Sequence, residues 1–171
     1  MRMFYCSFDD LNHEKIMLEI GQKAPDFKLI NTDRKEVTLE NFKGKNLVLF
    51  FFPMAWTSTC TKQMCTVQED YSVYSELNTE VVGVSVDTIF ALKRYGEDYK
   101  ISFPLLSDFN KQMIRDYDIV HEDFILGYKD VAKRATFVID KNGILQYIEV
   151  LPKLGDFPDM EKLKAALKRI N

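Results

Sequence analysis

The sequence lacks most of what would tie it to a membrane, a secretory route or a metal. No apolar run approaches the roughly 20 residues needed to span a bilayer. The opening segment, MRMFYCSFDDLNHEKIMLEI, is interrupted by acids and His13, so it has no signal-peptide core, and the default expectation is a cytoplasmic protein. Only three cysteines occur, an odd number that does not suit a secreted disulfide framework. In a reducing compartment a cysteine pair reads as catalytic or metal-binding. The two histidines, His13 and His121, flank no cysteine at metal-ligand spacing, so no zinc site is expected. Neither charge sign dominates: 23 basic and 26 acidic side chains leave a net charge of −3, which gives no reason to expect nucleic acid or an anionic membrane as partner. There is no repeat and no linker rich in Gly, Ser or Pro. The 171 residues therefore suit one domain large enough to bury a proper core.

What is present is a regular alternation of elements. Residues 24–46 read as short strands with a turn near Asn31 to Lys35. LVLFFF (47–52) has the unbroken apolar character of a strand covered on both faces. After Cys60 the period changes, and Met64, Val67, Tyr71 and Tyr74 predict a helix to about Leu77. VVGVSV (81–86) predicts a second buried strand, followed by a helix from Thr88 to Lys100. FPLLSD (103–108) leads into a shorter helix with Met113, Ile114 and Tyr117. RATFVID, the turn Asp140-Lys141-Asn142-Gly143 and ILQYIEV carry a hairpin signal. Pro158 opens a last helix with Met160, Leu163, Leu167 and Ile170 on one stripe. This order implies a three-layer α/β/α domain with a mixed central sheet, the layout of a thioredoxin-like fold. Fold does not set function, so the site must.

Cys60 falls where a strand-to-helix turn delivers the first turn of a helix. Backbone N–H groups there lack intrahelical partners and the helix dipole favours negative charge. Such a position can lower a thiol pKa from about 8.5 to about 3.5–7.5, as a cysteine nucleophile requires. A free cysteine is also a common small hydrophobe of cores. The neighbours bear on that choice. Pro53, Thr57 and Cys60 stand in the pattern P-x-x-x-T-x-x-C directly after an apolar strand, the active-site motif of the peroxiredoxins. APDF (24–27), VGVSVD (82–87), FPLLSD (103–108) and RATFVID (134–140) resemble segments of that family in their expected order, over residues 18 to 170.

The resemblance implies a peroxidatic thiolate at Cys60 that attacks a peroxide and becomes a sulfenic acid. Thr57 would offer its hydroxyl to the thiolate and the bound peroxide, and Pro53 would shape and shield the pocket. Arg134, otherwise read as an edge-strand charge, would hold the thiolate charged and stabilise negative charge as the O–O bond breaks. The spacing C-T-K-Q-M-C, with Cys65 five residues on, resembles the Q-type group, also called bacterioferritin comigratory proteins. FFPMAWT resembles the one-cysteine group called alkyl hydroperoxide reductase E. Five residues along an ideal helix separate Cα atoms by about 8.6 Å, whereas disulfides rarely form beyond about 7 Å. Cys65 falls on the polar side of the helix, facing solvent or reductant; if it resolves the sulfenic acid the helix must locally unwind, and the alternative is an inert exposed thiol.

The resemblance thus implies a thiol peroxidase for hydrogen peroxide and small organic hydroperoxides, without metal or organic cofactor. Its reductant would be a thioredoxin-like or glutaredoxin-like protein, and a homodimer is common among relatives. The chain has no C-x-x-C, and no proline between Leu106 and Val150 where a thioredoxin carries its cis-proline, which argues against a dithiol reductase. The rival reading is a redox sensor or relay that passes oxidation to a partner with little turnover. Met17 opens MLEIGQKAPDF, which resembles the usual start of the family, so residues 1–16 read as an extension preceding a domain at 17–171. Cys6 in that extension reads as a spectator.

Overall fold

The structure, a computed structural model, describes residues 17–171. The expected extension at 1–16, with Cys6 and His13, lies outside the described residues. The chain enters through a hairpin of β1 (Lys28–Asn31) and β2 (Glu36–Thr38). Asn31 builds its turn by accepting from the backbone N–H groups of Asp33 and Lys35, each at 2.9 Å. After a short 3-10 turn at Leu39–Phe42 comes β3 (Asn46–Phe51), buried along its whole length. Its side chains alternate between two cores. Leu47, Leu49 and Phe51 enter one, and Val48, Phe50 and the following Phe52 enter the other. A strand with no solvent face needs no polar alternation, which is why its sequence is a continuous apolar run.

The helix expected from Cys60 to Leu77 is two helices, α1 (Ser58–Glu69) and α2 (Tyr71–Glu76). Asp70 separates them with φ −87 and ψ 4, and its carboxylate pairs with Lys164 at 2.8 Å. Both pieces keep buried residues in helical period, so periodicity could not show the break. Next follow β4 (Thr79–Ser85), α3 (Ile89–Asp98) and β5 (Leu105–Ser107). The short α4 (Gln112–Asp116) is held by buried Asp108, which accepts from the N–H groups of Met113 and Ile114 at 3.2 and 2.8 Å. β6 (Val120–Asp123) and β7 (Lys129–Ala132) form a separate two-stranded hairpin that the sequence pattern did not announce. β8 (Ala135–Ile139) and β9 (Leu145–Val150) pair across the expected turn, where Asp140 accepts from the N–H of Asn142 at 2.8 Å. The last helix, α5 (Met160–Ile170), begins after Pro158, with Asp159 as the cap accepting from Lys162 N–H at 3.0 Å.

Seven strands form the main sheet in the order β2-β1-β5-β4-β3-β8-β9. β3–β4 and β4–β5 are parallel and the remaining pairs antiparallel, so the sheet is mixed, as expected. One face is covered by α1, α2, α3 and α5 through Met64, Tyr74, Leu92, Tyr95, Leu163 and Leu167. The other carries α4 and the 3-10 turn, with Met113, Ile114 and Leu39 in its core. Gly83 of β4 lies beneath the Leu105 side chain of β5: a Cβ there would lie 2.7 Å from Leu105 Cδ2, with Met64 Sδ of α1 at 3.4 Å. The thiol-bearing helix packs over this part of the sheet through Met64 and Val67.

Candidate active site

Beyond Phe51 the β3 chain still makes one sheet bond, from Phe52 N–H to the Val84 carbonyl at 3.1 Å. Pro53 then has no N–H to donate, and the strand ends. The turn that follows is tied to the end of β4. Ala55 N–H donates to Asp87 Oδ2 at 2.8 Å, and the Ser85 hydroxyl donates to the same oxygen at 2.6 Å. Trp56 takes φ +68, a left-handed conformation disfavoured for a tryptophan, and packs edge-on against Tyr95 at 5.5 Å and Tyr99 at 5.9 Å. Thr57 is the residue before the helix, extended at φ −78 and ψ 148. Its hydroxyl donates to the Met54 carbonyl at 3.0 Å.

Cys60 is the third residue of α1 and is 1% exposed. Arg134 precedes β8, and the register that sets Ala135 opposite Phe51 carries it to the same end of the sheet. There Arg134 Nη2 donates to Cys60 Sγ at 3.4 Å, across 74 residues of sequence, and to the Leu154 carbonyl at 3.4 Å. Nη1 donates to Gln63 Oε1. Arg134 is 3% exposed, and among the described residues no carboxylate lies within ion-pair distance of it. Burying a cation costs several kcal/mol unless an anion or hydrogen bonds compensate, about the magnitude expected for a single ion. Its compensation comes from three acceptors, Cys60 Sγ, Gln63 Oε1 and the Leu154 carbonyl.

Pro53, Thr57, Cys60 and Arg134 line one cavity of about 250 Å³. Cys65 does not reach it. It lies further along α1, half-buried where the sequence suggested the solvent side, and burial followed by the Glu69 carboxylate pushes its thiol pKa up. Gln63 is the site residue that sequence reasoning passed over. It is fully buried, three positions from Cys60 on the same helix face, and that spacing was the available signal. Asp87, which pins the turn, closes the segment VGVSVD, and nothing in that pattern marks its carboxylate as a turn partner. Tyr95 is buried beside α1, its hydroxyl donating to Thr61 Oγ1 at 3.4 Å, with burial raising the phenol well above its ordinary range. A larger cleft of about 410 Å³ between Ile30, Phe90 and Phe109 contains no cysteine.

A thiol at a helix N-terminus under a buried guanidinium, on a mixed sheet between helices, defines the peroxiredoxin class of thioredoxin-like folds. The chain belongs to the AhpC/TSA family, whose description matches residues 20–148. It is 36% identical over 143 residues to the mitochondrial thioredoxin-dependent peroxide reductase of Drosophila melanogaster, covering 78% of this chain and 59% of that protein. Chloroplastic peroxiredoxin Q of Oryza sativa subsp. japonica is 35% identical over 128 residues, covering 75% of this chain and 57% of its own length. The chain thus spans under two thirds of these curated relatives. Among solved structures, peroxidoxin BcpB from Mycobacterium tuberculosis superposes with a TM-score of 0.79 at 26% identity, over 90% of this chain and 99% of that one.

Proposed function

We propose that this protein is a thiol-dependent peroxidase acting on hydrogen peroxide and organic hydroperoxides, with Cys60 as the nucleophile. The observation that carries the reading is the buried Arg134 guanidinium donating to Cys60 Sγ, with no carboxylate among the described residues to neutralise it. Arg134 Nη2 is aimed at the sulfur, and Cys60 stands in the first turn of α1. The thiolate attacks the terminal oxygen of ROOH. An S–O bond forms, the O–O bond breaks, sulfur gives up two electrons, and the alkoxide leaves and takes a proton from solvent as ROH. Cys60 becomes a sulfenic acid. Arg134 meets the charge that develops on the departing oxygen, and Gln63 holds the guanidinium in place from its other side.

Cys65 is the proposed resolving thiol. It would displace water from the sulfenic acid to give a Cys60–Cys65 disulfide, which a thioredoxin-like or glutaredoxin-like protein then reduces. The name of the Drosophila relative supports that type of reductant. Both cysteines lie within the continuous helix Ser58–Glu69, so resolution requires its first turns to open. A reducing compartment such as the cytoplasm suits this cycle. Peroxide consumption with a thioredoxin system tests the reading: wild type should turn over, and Cys60→Ser should consume no peroxide above background. Near-normal consumption by Cys60→Ser would reject the assignment.

A further inference from the structure

Cys60 is bracketed by two hydrogen bonds to one neighbouring stretch, the end of β4 and the α3 helix after it. Before the cysteine, Ala55 N–H donates to Asp87 Oδ2 at 2.8 Å. After it, Thr61 Oγ1 accepts from the Tyr95 hydroxyl at 3.4 Å. Both outer residues are themselves held fast. Asp87 Oδ2 also accepts from the Ser85 hydroxyl at 2.6 Å, the Asp87 N–H donates to Ser85 Oγ at 3.0 Å, and its carbonyl accepts from the Ser107 hydroxyl at 2.6 Å. Tyr95 is fully buried, its ring packed on Phe52 at 6.2 Å and on Trp56 at 5.5 Å. Between the two bonds the chain is strained. Trp56 stands at φ +68, and a conformation of that kind persists only where its surroundings impose it. The far end of α1 does not depend on this stretch. Gln68 Oε1 accepts there from the Ser102 N–H and hydroxyl at 2.7 and 3.0 Å, and Asp70 pairs with Lys164 at 2.8 Å.

We infer that Asp87 and Tyr95 are positioning residues for Cys60, a two-point clasp that holds the thiol end of α1 closed for peroxide attack and must let go before Cys65 can reach the sulfur. The inference rests on the peroxidase reading with Cys65 as the resolving thiol, and it names the residues that set the balance of its two half-reactions. Both act through the turn and the helix, not on the reacting atoms. With the clasp closed, Sγ stays 3.4 Å from Arg134 Nη2, and the S–O bond forms as the O–O bond breaks. With it open, the Cys65 thiolate attacks the sulfenic sulfur. The S–S bond forms, the S–O bond breaks, and hydroxide leaves and takes a proton to become water. Tyr95 bears on the opening alone, since the strained turn keeps its shape without the phenol O–H. Asp87 bears on both steps, because the backbone that carries Trp56 and Thr57 to the helix hangs from its carboxylate.

The test is rapid-quench mass spectrometry of the full chain after one equivalent of hydrogen peroxide, counting sulfenic acid and Cys60–Cys65 disulfide separately. Tyr95→Phe keeps the ring and removes the O–H. It should form sulfenic acid within about twofold of the wild-type rate and close the disulfide roughly two- to tenfold faster, the worth of one hydrogen bond. Asp87→Ala should speed the disulfide too, while slowing sulfenic acid formation by about tenfold or more as the turn loses its shape. Asp87→Asn, whose amide oxygen still accepts from Ala55 N–H, should restore most of that first rate. Met113→Ala empties a site in the core on the opposite face of the sheet, and should leave both rates within about twofold despite its loss of stability. Unchanged disulfide rates in folded Tyr95→Phe and Asp87→Ala would overturn the inference, and so would an equal gain in Met113→Ala, which would show that general loosening suffices. A wild type that forms sulfenic acid and never the disulfide would overturn it together with the role of Cys65, leaving the peroxidase reading intact. A wild type that consumes no peroxide would overturn the peroxidase reading, and this one with it. Where Asp87→Ala fails to fold, Tyr95→Phe against Met113→Ala decides.

Discussion

Arg134 is a cation inside the protein whose bonds run to a sulfur, an amide oxygen and a backbone carbonyl. Exchanging it for methionine keeps an extended side chain and removes the charge that meets the departing oxygen. Arg134→Met should slow sulfenic acid formation by roughly 10²- to 10³-fold, the usual loss for one donor aimed at developing charge. Its melting temperature should fall, because the relief of desolvation is outweighed where the buried Gln63 amide oxygen and the Leu154 carbonyl lose their donor, yet the protein should stay folded. Rapid mixing and calorimetry on one sample read both, and loss of folding together with rate would show a purely structural role. At Cys65 the sign of the titration is set by burial first and Glu69 second, and both favour the neutral thiol. The attacking species is the thiolate, so disulfide formation after a peroxide pulse should accelerate as pH rises through and beyond the ordinary thiol range. Glu69→Gln should displace that profile toward lower pH. Quench-flow mass spectrometry from pH 6 to 10 would show it, and a flat profile would remove Cys65 from the resolving step.

At the scale of elements, α1 has two duties that oppose each other. As an intact helix it aims Cys60 at Arg134, and in the proposed cycle it must open for Cys65 to arrive. In the reduced protein the amides of residues 61–65 should be protected from hydrogen exchange. One equivalent of peroxide should abolish that protection and yield a Cys60–Cys65 disulfide in peptide mapping. Persistent protection with a stable sulfenic acid would place the protein among one-cysteine enzymes. The same scale shows what the sequence made legible. β3 could be read because both of its faces are buried, and the Asp140–Gly143 turn because its residue types serve one geometry. Cys60 and Arg134 could be related through the motif, although nothing in their spacing told that β8 lies beside β3. The β6–β7 hairpin escaped because it stands off the sheet and its strands lack an alternating buried face. Gln63 escaped because a polar residue on a helix is read as solvent-facing until a buried guanidinium is known to meet it.

For the molecule as a whole, the sheet places the site where β3 and β4 end and β8 begins, and a helical layer packs over that face. α5 covers one face of that layer through Leu163, which is 1% exposed and packs in the cluster that contains Cys60. Leu163→Ala should cost about 2–5 kcal/mol in urea unfolding, the range for emptying a packed leucine site. A cost near zero would mean that α5 is a loose appendage and not a wall of the core. One further consequence belongs to Trp56. It is the chain's single tryptophan, and it sits one residue before Thr57 with its ring against Tyr95 and Tyr99. Light absorbed by those tyrosines passes to the indole while the three rings stay together, and opening the start of α1 separates them. Under the proposed cycle, emission from this one fluorophore should change with the oxidation state of the sulfur, so the unlabelled protein would report each turnover in real time.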